Sequence, residues 1–206
     1  DEPDWVFVAG RLETMNRWAE TRSYDIGFLE FFKEQRELGF WSHPVFSVYS
    51  EEDVVELGEC IVKENDLNHS IASVITSKSK YLLPNECIQH MFMGNAMIIA
   101  GVEDEDKRLD FAKEVYTALS ERKISLATPW LSNLRNNGNV SSCFIMSVDD
   151  NIHSIFDNIK RAALVSKNGG GLGVDMARVR ARGSSLMGYE GGSGGIGGWI
   201  KLFNDT

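Results

Sequence analysis

The chain is short of cysteine and of positive charge, and it has no long apolar run; each shortage excludes a class of protein. Three cysteines in 206 residues, Cys60, Cys87 and Cys143, are too few and too scattered for a disulfide scaffold or a zinc cluster. They indicate reduced thiols in a cytoplasmic protein. The net charge of -9 argues against a nucleic-acid partner, although a few local donors could still hold a small phosphorylated ligand. No run reaches the ~18–20 apolar residues of a membrane span, so no membrane partner is expected.

The spacing of apolar residues changes near Lys123, which predicts two domains. Residues 1–122 carry apolar positions at helical spacing and predict an N-terminal helical domain. Within it, the methionine-rich segment 86–100 is nearly apolar and predicts a buried helix, with core packing favoured over a methionine-lined cofactor box. Residues 123–206 have a different character, with short apolar runs and most of the glycines, and form the second predicted domain.

Short apolar runs in the second domain predict strands at 124–127 and 142–146. The latter is followed by a predicted helix that starts at Asp149-Asp150-Asn151 and ends at Lys167, before a glycine. Residues 171–174 then predict another strand. Strand, helix and strand in this order predict a βαβ unit with parallel strands.

Three features of the second domain could carry chemistry, and each has an ordinary structural explanation. Cys143 has no histidine beside it, and a lone cysteine in an apolar strand is more often buried and inert. The glycines of 169–173 either end a helix or let a ligand approach the bare backbone. Asp149 and Asp150 could cap a helix, and the alternating Arg178, Arg180 and Arg182 could form a solvated cationic face. Alternatively, an aspartate at one end of the unit and an arginine after it could clasp a nucleotide, with the carboxylate on a sugar hydroxyl and the guanidinium on phosphate.

Several motifs occur in one order along the chain, each weak alone but specific together. They are WVFVAGRL at 5–12, KISLATP at 123–129, SSCF at 141–144, DDNIHSI at 149–155, SKNGGGLG at 166–173 and RVRARGS at 178–184. With this order and spacing the chain resembles the large (alpha, catalytic) subunit of ribonucleotide reductase. The resemblance implies a mixed α/β fold, in which an N-terminal helical domain (1–122) precedes the first strands and helices of a ten-stranded α/β barrel (123–206).

The resemblance also implies roles at the substrate site. Cys143 matches the cysteine on the first barrel strand that gives up reducing equivalents and forms a disulfide across the active site. Thr128 and Ser142 match substrate-pocket residues near the phosphates and ribose. Gly170 and Gly171 match backbone that lies against the substrate. No residue is assigned to a metal.

A second site is implied by the same resemblance. Asp150 and Arg180 match an allosteric specificity site that binds a deoxynucleoside triphosphate or ATP at the interface of a homodimer. The segment 182–190 matches the loop that covers this effector. A basic residue that some relatives carry near Met187 is absent here.

The implied activity is that of an oxidoreductase of deoxyribonucleotide biosynthesis and DNA replication, which reduces ribonucleoside diphosphates by thiyl-radical chemistry. The chain itself would bind no cofactor. A metal-containing small subunit, favoured over cobalamin, would supply the radical, and a thioredoxin or glutaredoxin-type protein the electrons. The remaining catalytic cysteines are expected in a C-terminal remainder of the subunit beyond Thr206, so the chain alone is expected to be inactive. The alternative is a non-catalytic nucleotide-binding or dimerisation module that uses Asp150 and Arg180 only.

Overall fold

The structure is a computed structural model that describes residues 3–186 and 189–206. Over these residues, helices come first and strands follow. In chain order the elements are α1 (Pro3–Thr21), α2 (Phe28–Glu37), α3 (Glu51–Glu59), α4 (Ile71–Thr76), α5 (Ile88–Ala100), α6 (Glu105–Ser120), α7 (Thr128–Asn133), β1 (Cys143–Ser147), α8 (Ile152–Lys167), β2 (Gly171–Asp175), β3 (Ser185–Leu186), β4 (Tyr189–Gly192) and α9 (Gly197–Asn204). Met187, within the predicted effector-covering loop 182–190, lies outside the described residues.

The chain divides into two compact units, Asp1–Val140 and Ser141–Thr206, whereas the sequence pattern changes near Lys123. The strand predicted at 124–127 is wrong. This segment is irregular and packs Leu126 against the helical core of the first unit. Ala127 then takes the N-cap position of α7, and the following proline favours the first turn of a helix.

An aromatic cluster forms the centre of the first unit. The indole of Trp41 is completely buried. Phe28, Phe31, Phe32 and Phe46 surround it with ring centroids between 5.2 and 6.0 Å away, three of them edge-on. Such aromatic pairs stabilise a core beyond the area that they bury. The cluster therefore fixes α2 on the loop that carries the indole.

Helix α5 is the buried helix that the sequence predicts. Every residue from Ile88 to Ala100 except Ile99 is buried. Its methionines, Met91, Met93 and Met97, belong to the hydrophobic core, as expected. The helix thus lies within the hydrophobic core of the first unit.

A buried ion pair ties this helix to the end of the first unit. Arg135 and Glu86 are both 0% exposed, and Arg135 Nε lies 2.7 Å from Glu86 Oε1 while Nη2 donates to Oε2 at 2.9 Å. Trp41 Nε1 and the Leu83 backbone N–H also donate to the Glu86 carboxylate. Arg135 Nη1 donates to Asn95 Oδ1 at 3.1 Å. A buried charge needs this density of partners, because each charge is taken out of water.

A second buried carboxylate, Asp66, joins α1, α5 and the turn Lys63–Asn68. It accepts hydrogen bonds from Trp18 Nε1 at 3.1 Å, from the Tyr24 hydroxyl at 2.9 Å, and from both the backbone and the side chain of Gln89. Burial raises the pKa of Asp66 to about 6, and the hydrogen bonds limit that rise because they favour the charged form.

This shift predicts how stability depends on pH. Since the pKa of Asp66 is higher in the folded chain than in the unfolded one, its contribution is fully present below pH ~4 and is lost as pH rises through ~6. The expected loss is about 3 kcal/mol of unfolding free energy, from about two pKa units. In urea titrations at pH 4 to 7, the free energy of unfolding of the wild type should fall with rising pH, whereas that of Asp66→Asn should not show this fall. If the difference in unfolding free energy between the two proteins stays constant across this pH range, the prediction is wrong.

The second unit contains the predicted βαβ arrangement. Strands β1 and β2 pair in parallel, with Cys143 opposite Gly171 and Ser147 opposite Asp175. The intervening helix, α8, ends at Lys167 as predicted, and Gly169 follows it with a φ of +74°, the left-handed conformation common after helices. A small core of Val148, Ile155 and Val179 holds helix and strands together.

Candidate functional site

Cys143 is the first residue of β1, and its side chain is exposed. Exposure alternates along the strand, so that Cys143, Ile145 and Ser147 share the open face, with Ile145 88% exposed. Ser142 Oγ lies 3.5 Å from the Cys143 thiol. The predicted redox residue and one predicted substrate residue are therefore adjacent at the beginning of an open sheet face.

The other two thiols have different surroundings. Cys87 is buried at the start of α5, where its Sγ lies 3.2 Å from Ser23 Oγ, and burial raises the pKa of Cys87 to about 11. Cys60 is partly buried and caps the end of α3, with its thiol 3.5 Å from the Glu56 carbonyl. Because reactivity needs both access and thiolate, Cys143 is the cysteine best placed to react.

The two predicted substrate glycines lack side chains for different reasons. A Cβ on Gly170 would come within 2.8 Å of the Phe144 ring and 2.7 Å of Val165, so internal packing already requires glycine there. A Cβ on Gly171 would meet only the Ser142 carbonyl, at an ordinary 3.4 Å. Gly171 also lies on the open face, where its N–H donates to the Ser142 carbonyl. Of these two glycines, Gly171 is therefore the one whose missing side chain leaves room for close approach by another molecule.

Acidic and basic residues meet where the two parallel strands end. Asp149 and Asp150 follow β1, and Arg178 and Arg180 follow β2. Arg178 Nη1 donates to Asp149 Oδ1 at 2.9 Å, and Arg180 Nε donates to Asp150 Oδ2 at 2.5 Å. Neither aspartate caps α8, since Asn151 does so by accepting from the Ser154 N–H. The predicted nucleotide clasp is thus assembled from two strand ends, in the manner of ligand sites at the carboxyl edge of parallel sheets.

The inner pair, Asp150–Arg180, is the more sheltered of the two. Its side chains are 31% and 34% exposed, against 57% and 67% for Asp149 and Arg178. Hydrogen bonds from the Arg180 side chain and backbone lower the pKa of Asp150, so this carboxylate is ionised. Arg180 Nη1 also donates to the Ser185 carbonyl at 3.2 Å, which anchors the guanidinium.

Six of the predicted site residues form two groups in the second unit, whereas Thr128 lies in the first unit. Ser142, Cys143, Gly170 and Gly171 gather at the start of the strands. Asp150 and Arg180 lie beyond the other ends of the strands. The two groups are therefore separated by at least the length of β1, which is about 16 Å for five residues at ~3.3 Å each. Thr128 is exposed at the first position of α7.

Sequence reasoning did not single out Asp175, the last residue of β2. Its carboxylate accepts from Ser147 Oγ at 3.2 Å and from the Ala177 N–H at 2.9 Å. Through Ser147 it links the end of β1 to the end of β2, three residues before Arg178. The sequence feature that could have indicated Asp175 is an acidic residue at the end of an apolar strand, on the same edge of the sheet as Asp149 and Asp150.

Two findings concern what is absent. Among residues 3–186 and 189–206, no group of three or more histidine, cysteine, aspartate or glutamate side chains is placed to hold a metal ion. In the same described ranges, no helix combines the length and apolar character that crossing a bilayer requires.

Comparison with protein families assigns both units. The family model "Ribonucleotide reductase, all-alpha domain" matches residues 67–139, and "Ribonucleotide reductase, barrel domain" matches residues 141–206. The chain belongs to the ribonucleotide reductase large-subunit family. Its fold is accordingly an all-α domain followed by the start of the reductase barrel domain, as the sequence motifs predicted.

Individual relatives agree with this assignment. The chain is 42% identical over 211 residues to the ribonucleoside-diphosphate reductase subunit alpha of Synechocystis, 36% identical over 217 residues to that of Helicobacter pylori, and 32% identical over 218 residues to that of Treponema pallidum. Each alignment covers 100% of the chain but only 26–27% of the relative. The chain thus spans about a quarter of the length of these reductase subunits.

Proposed function

We propose that this chain contributes part of the catalytic site of a ribonucleoside-diphosphate reductase, with Cys143 as a redox thiol. The observation that carries the proposal is the exposed thiol at the start of β1, next to Ser142 and opposite Gly171 in the strand pair. Of the three cysteines, it alone combines exposure with polar neighbours on an open sheet face.

The chemistry assigned to this thiol is electron supply. Replacing the ribose 2′-hydroxyl by hydrogen releases water and consumes two electrons, which two thiols supply when they become a disulfide. The thiol of Cys143 would be one of the two, and the other would lie elsewhere in the subunit. Thiyl-radical initiation would depend on a small, metal-containing partner subunit, and re-reduction on a thioredoxin or glutaredoxin-type protein.

Substrate positioning is assigned to the surroundings of the thiol. The Ser142 hydroxyl offers a hydrogen-bonding group to a ribonucleoside diphosphate, and the missing side chain at Gly171 leaves room for the ligand to approach the strand. Gly170 supports this surface by admitting the Phe144 ring behind it. Thr128, exposed at the start of α7 in the first unit, is proposed as a further substrate residue on the match of its sequence motif alone.

The effector role is assigned to the carboxyl edge of the strands. Asp150 and Arg180 offer an acceptor for a sugar hydroxyl and a donor for phosphate within one pair. We propose that they bind a deoxynucleoside triphosphate or ATP at the interface of a homodimer, in a cytoplasmic enzyme. The alternative, a non-catalytic nucleotide-binding module, would use Asp150 and Arg180 but not Cys143.

Thiol labelling distinguishes these two functions. Cys143 should react with iodoacetamide faster than Cys60 and at least about tenfold faster than Cys87, because Cys87 is buried and its thiol pKa is raised. Peptide mapping by mass spectrometry measures all three rates together. CDP should slow labelling of Cys143 but leave the rate at Cys60 unchanged, and cytidine is the control ligand. If Cys143 is labelled slowly, or if CDP does not slow its labelling although dTTP still binds, the non-catalytic nucleotide-binding module is favoured.

A further inference from the structure

Tyr24 and Trp18 donate hydrogen bonds to the same oxygen of a buried carboxylate in the first unit. The Tyr24 hydroxyl lies 2.9 Å from Asp66 Oδ2, and Trp18 Nε1 lies 3.1 Å from the same atom. The two rings meet edge-on, with their centroids 5.6 Å apart. Tyrosine and tryptophan are among the side chains that lose one electron most easily. The arrangement therefore joins two oxidisable rings to one proton acceptor.

Oxidation of a tyrosine within a fold depends on where its proton can go. A phenol that loses an electron becomes strongly acidic, and a base at hydrogen-bond distance takes up the proton. The Tyr24 hydroxyl is protonated beforehand, because burial and the Asp66 charge raise the pKa of Tyr24 well above its usual value. Asp66 is 1% exposed, and burial raises its pKa to about 6, so it binds a proton more readily than a surface carboxylate does.

The hydroxyls of two other sheltered tyrosines donate to groups that are not bases. The Tyr49 hydroxyl donates to the Met97 carbonyl at 2.6 Å, and the Tyr116 hydroxyl donates to the side-chain amide oxygen of Gln89 at 3.0 Å. An amide oxygen accepts a hydrogen bond but does not accept the proton itself near neutral pH. Of these three tyrosines, Tyr24 is the one whose partner can be protonated.

The other buried carboxylate beside an indole has a different set of partners. Trp41 Nε1 donates to Glu86, but Glu86 is paired with Arg135, whose positive charge opposes uptake of a proton. The side chains that donate to Asp66 are all neutral; they are Trp18, Tyr24 and Gln89. A proton can therefore bind to Asp66 without breaking an ion pair among these donors.

We propose that Tyr24, with Asp66 as its base, is a redox-active tyrosine that receives an oxidising equivalent entering at Trp18. A diffusible one-electron oxidant takes an electron from the partly exposed Trp18 indole and is itself reduced. Trp18 regains that electron from Tyr24, and the Tyr24 hydroxyl proton passes to Asp66 Oδ2 along their hydrogen bond. The products are a neutral tyrosyl radical, a protonated Asp66 carboxyl and an unchanged indole. The site does not depend on the proposed role of Cys143.

Photo-oxidation of the chain by tris(bipyridine)ruthenium(II), with pentaamminechlorocobalt(III) as the electron acceptor, tests the proposal. Electron paramagnetic resonance of samples frozen after illumination should show a tyrosyl radical in the wild type and its loss in Tyr24→Phe. Tyr49→Phe is the matched control and should retain the signal, because it removes a sheltered hydroxyl that donates to a backbone carbonyl. A signal that persists in Tyr24→Phe, or that is lost equally in both variants, would overturn the proposal.

The rate of radical formation tests the parts of Asp66 and Trp18. Asp66→Asn should slow it by at least about tenfold, because a positioned base is removed. In the wild type it should be slower in D2O than in H2O, which a merely structural role of Asp66 would not cause and which needs no variant. Trp18→Phe should also slow it, because the oxidant must then act on the partly buried Tyr24 itself. Equal rates in the two solvents would overturn Asp66 as the proton acceptor, and an unchanged rate in Trp18→Phe would overturn Trp18 as the point of entry.

Discussion

Cys143→Ser is expected to abolish multiple turnover in a reductase of the relatives' length that carries this chain. Serine keeps the shape and the hydrogen-bonding capacity of the side chain, but it cannot enter a disulfide, so the two electrons for each cycle are not delivered. Nucleotide binding should change by less than about 1 kcal/mol, as is usual for a small substitution on an exposed strand face. Product formation over many cycles, measured together with CDP affinity, separates the two effects.

Cys60→Ser is the control for this experiment, because its thiol is partly buried and donates to the Glu56 carbonyl of its own helix. That variant should keep its turnover. Sustained product formation by Cys143→Ser would remove this residue from the redox chemistry. A parallel loss of CDP binding would instead show a structural role.

The largest effect on stability is expected from Arg135→Met in the first unit. The substitution leaves the buried Glu86 carboxyl without its cationic partner, with donors remaining from Trp41 and the Leu83 backbone. Breaking a buried pair in this way costs about 3–5 kcal/mol. The free energy of unfolding from urea titration of the isolated chain measures the loss.

Two further variants test the origin of that loss. Lys33→Met removes a surface pair with Glu51 of similar length, 2.7 Å, and should cost less than about 1 kcal/mol because both side chains are exposed. Replacing both members of the buried pair, as Glu86→Leu with Arg135→Met, should destabilise less than the sum of the single changes. A loss below about 1 kcal/mol for Arg135→Met would show that Glu86 is accommodated without its partner.

Local patterns were sufficient to predict much of the second unit. The helical spacing in α8, the glycine after Lys167 and the flanking apolar runs predicted the βαβ unit, because each signal lies within the element that it describes. The same reasoning failed at 124–127. That segment has the apolar content of a strand, but only Leu126 packs against the helical core while Ile124 is 48% exposed, and β-structure requires a partner strand as well as propensity.

Contacts between distant residues were not predictable in the same way. The ion pair between Glu86 and Arg135, 49 residues apart, depends on how α5 packs against the end of the first unit. At the candidate site, the sequence put acids and arginines at one edge of the parallel strands. That Asp150 and Arg180 pair with each other could not be predicted, because it depends on side-chain geometry and on the anchoring of Arg180 by Ser185.

The length of β1 sets the distance between two proposed functions. Cys143 opens the strand with its thiol, and the aspartate pair Asp149–Asp150 begins two residues after Ser147. The number of residues in the strand therefore fixes the separation of the thiol and the aspartates. Insertion or loss of one residue within it would turn the thiol from the open face to the helix-covered face and would also move the acids out of register with Arg178 and Arg180. Selection for both functions at once would thus preserve the residue count of this strand more strictly than the identity of its middle side chains.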